Sequence, residues 1–179
     1  VVVDVTDRFR FLAPERGIEM TPLQKTPEVL EFWRAFRHAA HIDHDHYDVV
    51  AFGEGPAMAD ELAELVVAGP KRATAGLLRD FINGGEALPI LGGYVVLIDG
   101  QSRPRCVWRT TDVAVKPLNQ VDAKFAWDEG EGDRTLASWL AGHRRFFARQ
   151  AARENFVFRD DIDTVCERFR IVWPLNIAD

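Results

Sequence analysis

The chain has 179 residues, 47% of them hydrophobic and 28% charged; that suits a single globular domain of about 100–200 residues and excludes an unfolded ground state. Its 22 Lys and Arg against 28 Asp and Glu leave a net charge of −6, the wrong sign for a protein that coats duplex nucleic acid by bulk charge. The longest apolar run, Tyr94 to Ile98, is strand-sized and far short of the roughly 18 residues of a membrane helix. Two cysteines, Cys106 and Cys166, are too few for a disulfide scaffold or an all-cysteine zinc site. With no basic-then-apolar leader, the expectation is a soluble protein of a reducing, cytoplasmic compartment without a membrane partner.

Residues 1–25 have no sustained period and read as an N-terminal extension, with Val1, Val3 and Val5 alternating as a short strand would. The remainder, 26–179, reads as one domain. Thr26-Pro27 predicts a helix start, and Val29, Leu30, Trp33, Phe36 and Ala40 predict an amphipathic helix over Pro27 to His41. The tract His41 to His46 tempts a metal reading, but its spacing fits no familiar ligand pattern and it is taken as a solvated loop. Met58, Leu62, Leu65 and Val66 predict a second helix, ended by Gly69-Pro70. Strand or loop follows from Lys71 to Leu78, then a glycine-punctuated stretch to Gly93. Tyr94–Ile98 and Cys106–Val115 read as a β-hairpin with a long connection, Thr135 to Glu154 as a third helix, and Val165 to Trp173 as a last strand. Helices and strands do not alternate strictly, so a doubly wound sheet is disfavoured. The expected class is α+β, a small mixed barrel or sheet decorated by helices.

Several familiar chemistries are absent. There is no phosphate-binding G-x-x-x-x-G-K-[ST] loop and no G-x-S-x-G elbow. Gly53-Glu54-Gly55 and Gly130-Glu131-Gly132 lack the third glycine of a dinucleotide site and carry a carboxylate where a diphosphate would sit. Both cysteines lie mid-strand, where packing is the expected role.

Four segments carry candidate chemistry. Gly69-Pro70-Lys71-Arg72-Ala73-Thr74 sets two cations and a hydroxyl between a helix C-terminus and a strand. Strand alternation lets Lys71 and Thr74 converge only if the turn twists or bulges the chain; otherwise the segment is a surface turn. Trp127 to Thr135 crowds Asp128, Glu129, Glu131 and Asp133 around two glycines ahead of a helix, where Asp133 or Thr135 can cap and one carboxylate can serve as acid or base. In the last strand Val165, Glu167, Phe169, Ile171 and Trp173 share a face, and Glu167 calls for a partner or a cavity; Arg109, beside Trp108, is the expected partner. Arg145, Arg149 and Arg153 form a helical stripe that either follows a phosphate backbone or is an ordinary solvated face.

These stretches together resemble the ASCH domain family, a group with a PUA-like fold. The matching residues are Ala51-Phe52-Gly53, Gly69-x-Lys71-x-x-Thr74, Asp99-Gly100, Arg109-Thr110-Thr111, Phe125-Ala126, Glu129 to Arg134, Leu136-x-x-Trp139 and Cys166 to Phe169. The resemblance implies a small PUA-like mixed β-barrel with flanking helices, a cleft lined by the Lys71 segment, and a ligand drawn from RNA or modified nucleosides. It implies two activities. One is cleavage of single-stranded RNA, in which Lys71 with Arg109 or Arg72 stabilises the phosphorane, Glu131 or Asp133 acts as base or holds a divalent Mg or Mn ion, and Tyr94 or Trp108 stacks on a base. The other is amide hydrolysis of N4-acylated cytidine, with Lys71, Thr74 and Glu131, or Glu129 in its place. Arg134 and Glu167 complete the expected substrate contacts. A non-catalytic RNA-binding module is the third possibility on such a fold. The sequence reading leans to the ribonuclease.

Overall fold

The computed structural model describes residues 25–179; the expected extension, with its Val1, Val3 and Val5 alternation, lies outside the described residues but for Lys25. The chain opens with α1 (Pro27–Ala39), which Thr26 caps by accepting from the Val29 amide at 3.3 Å. Then come β1 (Asp48–Val50), α2 (Pro56–Val67), β2 (Ala73–Leu77) and α3 (Leu78–Gly84). The hairpin is β3 (Tyr94–Ile98) and β4 (Pro104–Pro117). Its turn is tied by the buried Asp99, whose Oδ1 accepts from the Gln101 and Arg103 amides at 2.9 and 3.0 Å. After α4 (Ala123–Glu129) and α5 (Leu136–Glu154), β5 (Asp163–Trp173) returns through the sheet.

The five strands run in the order β1-β3-β4-β5-β2, parallel between β1 and β3 and antiparallel elsewhere. The sheet curls into a half-barrel, in keeping with the α+β class and the barrel-with-helices expectation. A register shift between Thr110 and Asp112 bends β4 along its long pairing with β5. Both edge strands, β1 and β2, reach one cleft on the concave face.

Three apolar clusters hold the fold. One sheet face carries Val95, Leu97, Trp108, Phe169 and Ile171, covered by Phe52 and by Ala63 and Val66 of α2. The other face packs Val96, Ile98 and Val107 against Val29, Trp33 and Phe36 of α1. The third joins Ala73 and Leu77 of β2 to Phe125 and Ala126 of α4 and to Trp139 and Phe147 of α5. Trp173 leaves the row expected for β5: it packs with the α1 cluster, its ring 6.4 Å from Phe36, after a register shift between Val107 and Trp108.

The three long helices and the hairpin lie within a few residues of their predicted bounds. Three short elements lack a readable period: β1 has three residues, α3 buries none, and α4 has seven. No described helix is long and apolar enough to cross a membrane.

Candidate functional site

The lysine turn and the acidic loop meet through their backbones. The Lys71 amide donates to the Leu65 carbonyl at 3.1 Å, closing the end of α2. The Arg72 amide donates to the Asp128 carbonyl at 2.7 Å, and the Arg72 carbonyl accepts from the Phe169 amide at 2.9 Å. The turn is thereby fastened to the C-terminus of α4 on one side and to β5 on the other. Gly130 completes the junction: its φ is +72°, and a Cβ there would lie 2.8 Å from the Lys71 nitrogen and the Pro70 carbonyl carbon. Only glycine permits both that conformation and that approach.

Lys71 is 1% exposed, not the solvated lysine of a surface turn. Its Nζ donates to Glu131 Oε1 at 2.6 Å and to Glu129 Oε1 at 3.2 Å, and stands 5.2 Å from the Phe52 ring centroid. Burying an ammonium is tolerable only with such partners. The two glutamates differ. Glu129 is itself 1% exposed; its second oxygen accepts from the Trp139 indole N–H and lies 3.7 Å from His143 Nε2. Trp139 and His143 stack at 3.9 Å between centroids. Glu129 is therefore held on both oxygens and positions the lysine. The Glu131 side chain is 34% exposed and borders the cleft, where a ligand can reach it.

Thr74 pairs with Glu167 across β2 and β5, which puts both side chains on one sheet face, and both line the cleft. Glu167 is 5% exposed; its Oε1 accepts from Thr110 Oγ1 at 2.6 Å and from Trp108 Nε1 at 3.0 Å. Burial pushes its carboxyl above the usual glutamate range, against the pull of those two hydrogen bonds. Lys71, Thr74, Glu131 and Glu167 thus share a cleft of about 1080 Å³, bounded by β1, α3, the Gly84–Gly93 segment and α5.

The other candidates are engaged in contacts of their own. Arg72 turns away from the cleft, pairing with Asp179 through Nε and Nη2 at 2.7 Å each and donating to the Val66 carbonyl. Arg109 is not the partner of Glu167: it alternates to the opposite side of β4 from Trp108 and Thr110, donating to the Gly92 carbonyl at 3.2 Å. Trp108 is fully buried and stacked with Phe169 and Phe52 at 4.4 and 5.7 Å, so no ring face is open to a base. Tyr94 borders the cleft, but its ring packs edge-on against Phe36 at 5.3 Å. Asp133 accepts from the Thr135 amide at 2.9 Å and hydroxyl at 2.8 Å, supporting the cap residue of α5. Arg134 lies over the Trp127 ring at 3.8 Å, outside the cleft lining.

The residues do not suit a divalent metal. Of the expected ligands, Glu131 is closed with Glu129 on an ammonium and Asp133 is taken up by Thr135, and no group of three or more described His, Cys, Asp or Glu residues is arranged to hold an ion. The two thiols, pushed up to about 12 by burial, are not nucleophiles. Sequence reasoning did not find the support given by Trp139 and His143; the signal was a lone histidine at four-residue spacing in an otherwise apolar row.

A curled mixed sheet with flanking helices is a PUA-like fold. The chain belongs to the ASCH domain family, whose model matches residues 48–173. It is similar to the ASCH domain from Lactobacillus crispatus JV V101, with a TM-score of 0.72 and 29% identity over 79% of this chain and 92% of that one. A crystal structure of a protein from Enterococcus faecalis V583 matches with a TM-score of 0.74 and 37% identity, over 81% of this chain and 88% of that one. Comparison with curated protein sequences gives no match.

Proposed function

We propose that the cleft takes an N4-acylated cytidine and hydrolyses its amide. The observation that carries this reading is the Lys71 ammonium, buried between Glu129 and Glu131 on the cleft that Thr74 also lines. The balance of charge favours it over ribonuclease chemistry. Of the cations expected to stabilise a phosphorane, Arg72, Arg109 and Arg134 are absent from the cleft lining and Lys71 is closed on Glu129 and Glu131; the lining's other cations, Lys25, Arg145 and Arg149, are not partners of that carboxylate pair. A neutral acylated base suits that interior better than a phosphodiester. Burial raises the Glu167 carboxyl, and its protonated form can donate a hydrogen bond to the base.

In this reaction Lys71 passes a proton to Glu131 across their 2.6 Å contact and becomes a base. The Thr74 hydroxyl attacks the acyl carbon and yields its proton to Lys71. Glu131 protonates the departing amine, leaving a threonine ester. Water then attacks the ester, giving a proton to Glu131, while Lys71 returns one to the Thr74 oxygen. Glu129 keeps the lysine in place throughout. Binding of single-stranded RNA, with or without cleavage, is the second reading, supported by Arg145 and Arg149 on the cleft lining.

The test is acetate and cytidine release from N4-acetylcytidine, run beside cleavage of labelled single-stranded RNA with Mn²⁺ or EDTA. Thr74→Ser is expected to retain turnover, and Thr74→Ala, Lys71→Ala and Glu131→Gln to lose about 100-fold or more. RNA cleavage that Lys71→Ala abolishes, without acetate release, would replace this reading by the ribonuclease. Binding of RNA with no product would leave the non-catalytic module.

A further inference from the structure

Helix α5 presents Ser138, Gly142, Arg145 and Arg149 to the cleft, at spacings of four, three and four that put them on one helix face. The inner end of this stripe adjoins the reactive groups: Ser138 Oγ lies 3.1 Å from where a Cβ on Gly132, next to Glu131, would stand. Its middle is bare, since a Cβ added at Gly142 would meet nothing within 4 Å. Glycine inside a helix is unfavourable relative to alanine, and the empty space beside it lets a planar base or a sugar lie against the helix. The outer end is cationic. Arg149 and Arg153 are both engaged by Glu54 from the β1–α2 turn, whereas Arg145 is exposed and makes no ion pair among the described residues. With a rise of 1.5 Å per residue, Ser138 to Arg145 spans about 10 Å.

We infer that Arg145 is a phosphate-binding residue, and that the ligand of this cleft is a nucleotide and not a free nucleoside. The inference rests on the amide reading for its orientation. With the acylated base at Lys71, Thr74 and Glu131, the sugar runs along the bare helix at Gly142 and its phosphate arrives at Arg145. The guanidinium offers a planar fork of N–H donors that matches phosphate oxygens. The acidic interior repels a phosphate and the cationic rim attracts one, so charge alone sets which end of the nucleotide enters.

The experiment compares wild type, Arg145→Ala and Arg145→Lys. Cytidine and cytidine 5′-monophosphate are titrated calorimetrically, and kcat/KM is measured for N4-acetylcytidine, its 5′-monophosphate and a short single-stranded oligonucleotide carrying N4-acetylcytidine internally. The wild type is expected to prefer the monophosphate over the nucleoside by about tenfold or more; Arg145→Ala collapses that ratio toward one, and Arg145→Lys keeps part of it. A stronger preference for the oligonucleotide, equally sensitive to Arg145→Ala, assigns the phosphate to an internal diester. Equal affinity for cytidine and its monophosphate in the wild type, or a preference that survives Arg145→Ala, overturns the inference. If no acetate appears from any substrate, the amide reading falls, while the titrations still decide the phosphate site.

Discussion

At Lys71 an ammonium has been taken out of water and given two carboxylates of unequal freedom. Glu129 is locked by the lysine and an indole, while Glu131 remains open to the cleft. That asymmetry separates a carboxylate that holds the lysine from one that a ligand can reach, although both belong to the same short loop. Glu167 is a different case, a carboxyl raised by burial, with one oxygen accepting from Thr110 and Trp108. Its folded value lies above its unfolded one, so the folded state binds the extra proton, and stability falls as pH rises from the ordinary value of 4.5 through the raised one. Glu167→Gln keeps the acceptor oxygen and removes the titration. Urea denaturation at a series of pH values is expected to give the variant a shallower decline than wild type above pH 4.5; parallel curves would mean that Glu167 is ionised in the folded protein.

At the scale of elements, the contact of Lys71 with the acidic loop is made by a junction between the end of α2, the start of β2 and the turn after α4. The Asp128 carbonyl, the Arg72 amide and the bare α-carbon of Gly130 join there. Gly130→Ala forces a side chain into a left-handed conformation and against the Lys71 backbone. We expect it to destabilise the protein by about 2 kcal/mol or more and to reduce turnover, by pushing the acidic loop off the lysine. A variant as stable as wild type in thermal denaturation would mean that the junction opens at little cost.

Across the whole molecule, α1 stands apart from the family match at 48–173 yet packs on Val96, Ile98 and Val107 of the β3–β4 hairpin. Trp33 is its anchor, 1% exposed and stacked on Tyr47 at 4.4 Å. Trp33→Ala is expected to cost about 3–5 kcal/mol, read from the denaturation midpoint. A loss below about 1 kcal/mol would mean that α1 is an appendage and not part of the core.

The sequence determined the long elements: α1, α2 and α5 repeat their apolar residues at helical spacing, and β3, β4 and β5 show as strand-sized apolar stretches. It also singled out Lys71, Thr74 and the acidic loop as candidates, because a lysine and a threonine after a glycine turn, and glutamates between glycines, stand out from their surroundings. What it did not carry was direction. Arg72 and Lys71 are neighbours, but one faces Asp179 and the other the cleft. Arg109 and Thr110 are neighbours, and only Thr110 reaches Glu167. Which of two adjacent side chains turns inward depends on strand register, on a bulge, and on contacts between residues about sixty positions apart, and these exist only once the sheet has curled and the helices have closed over it.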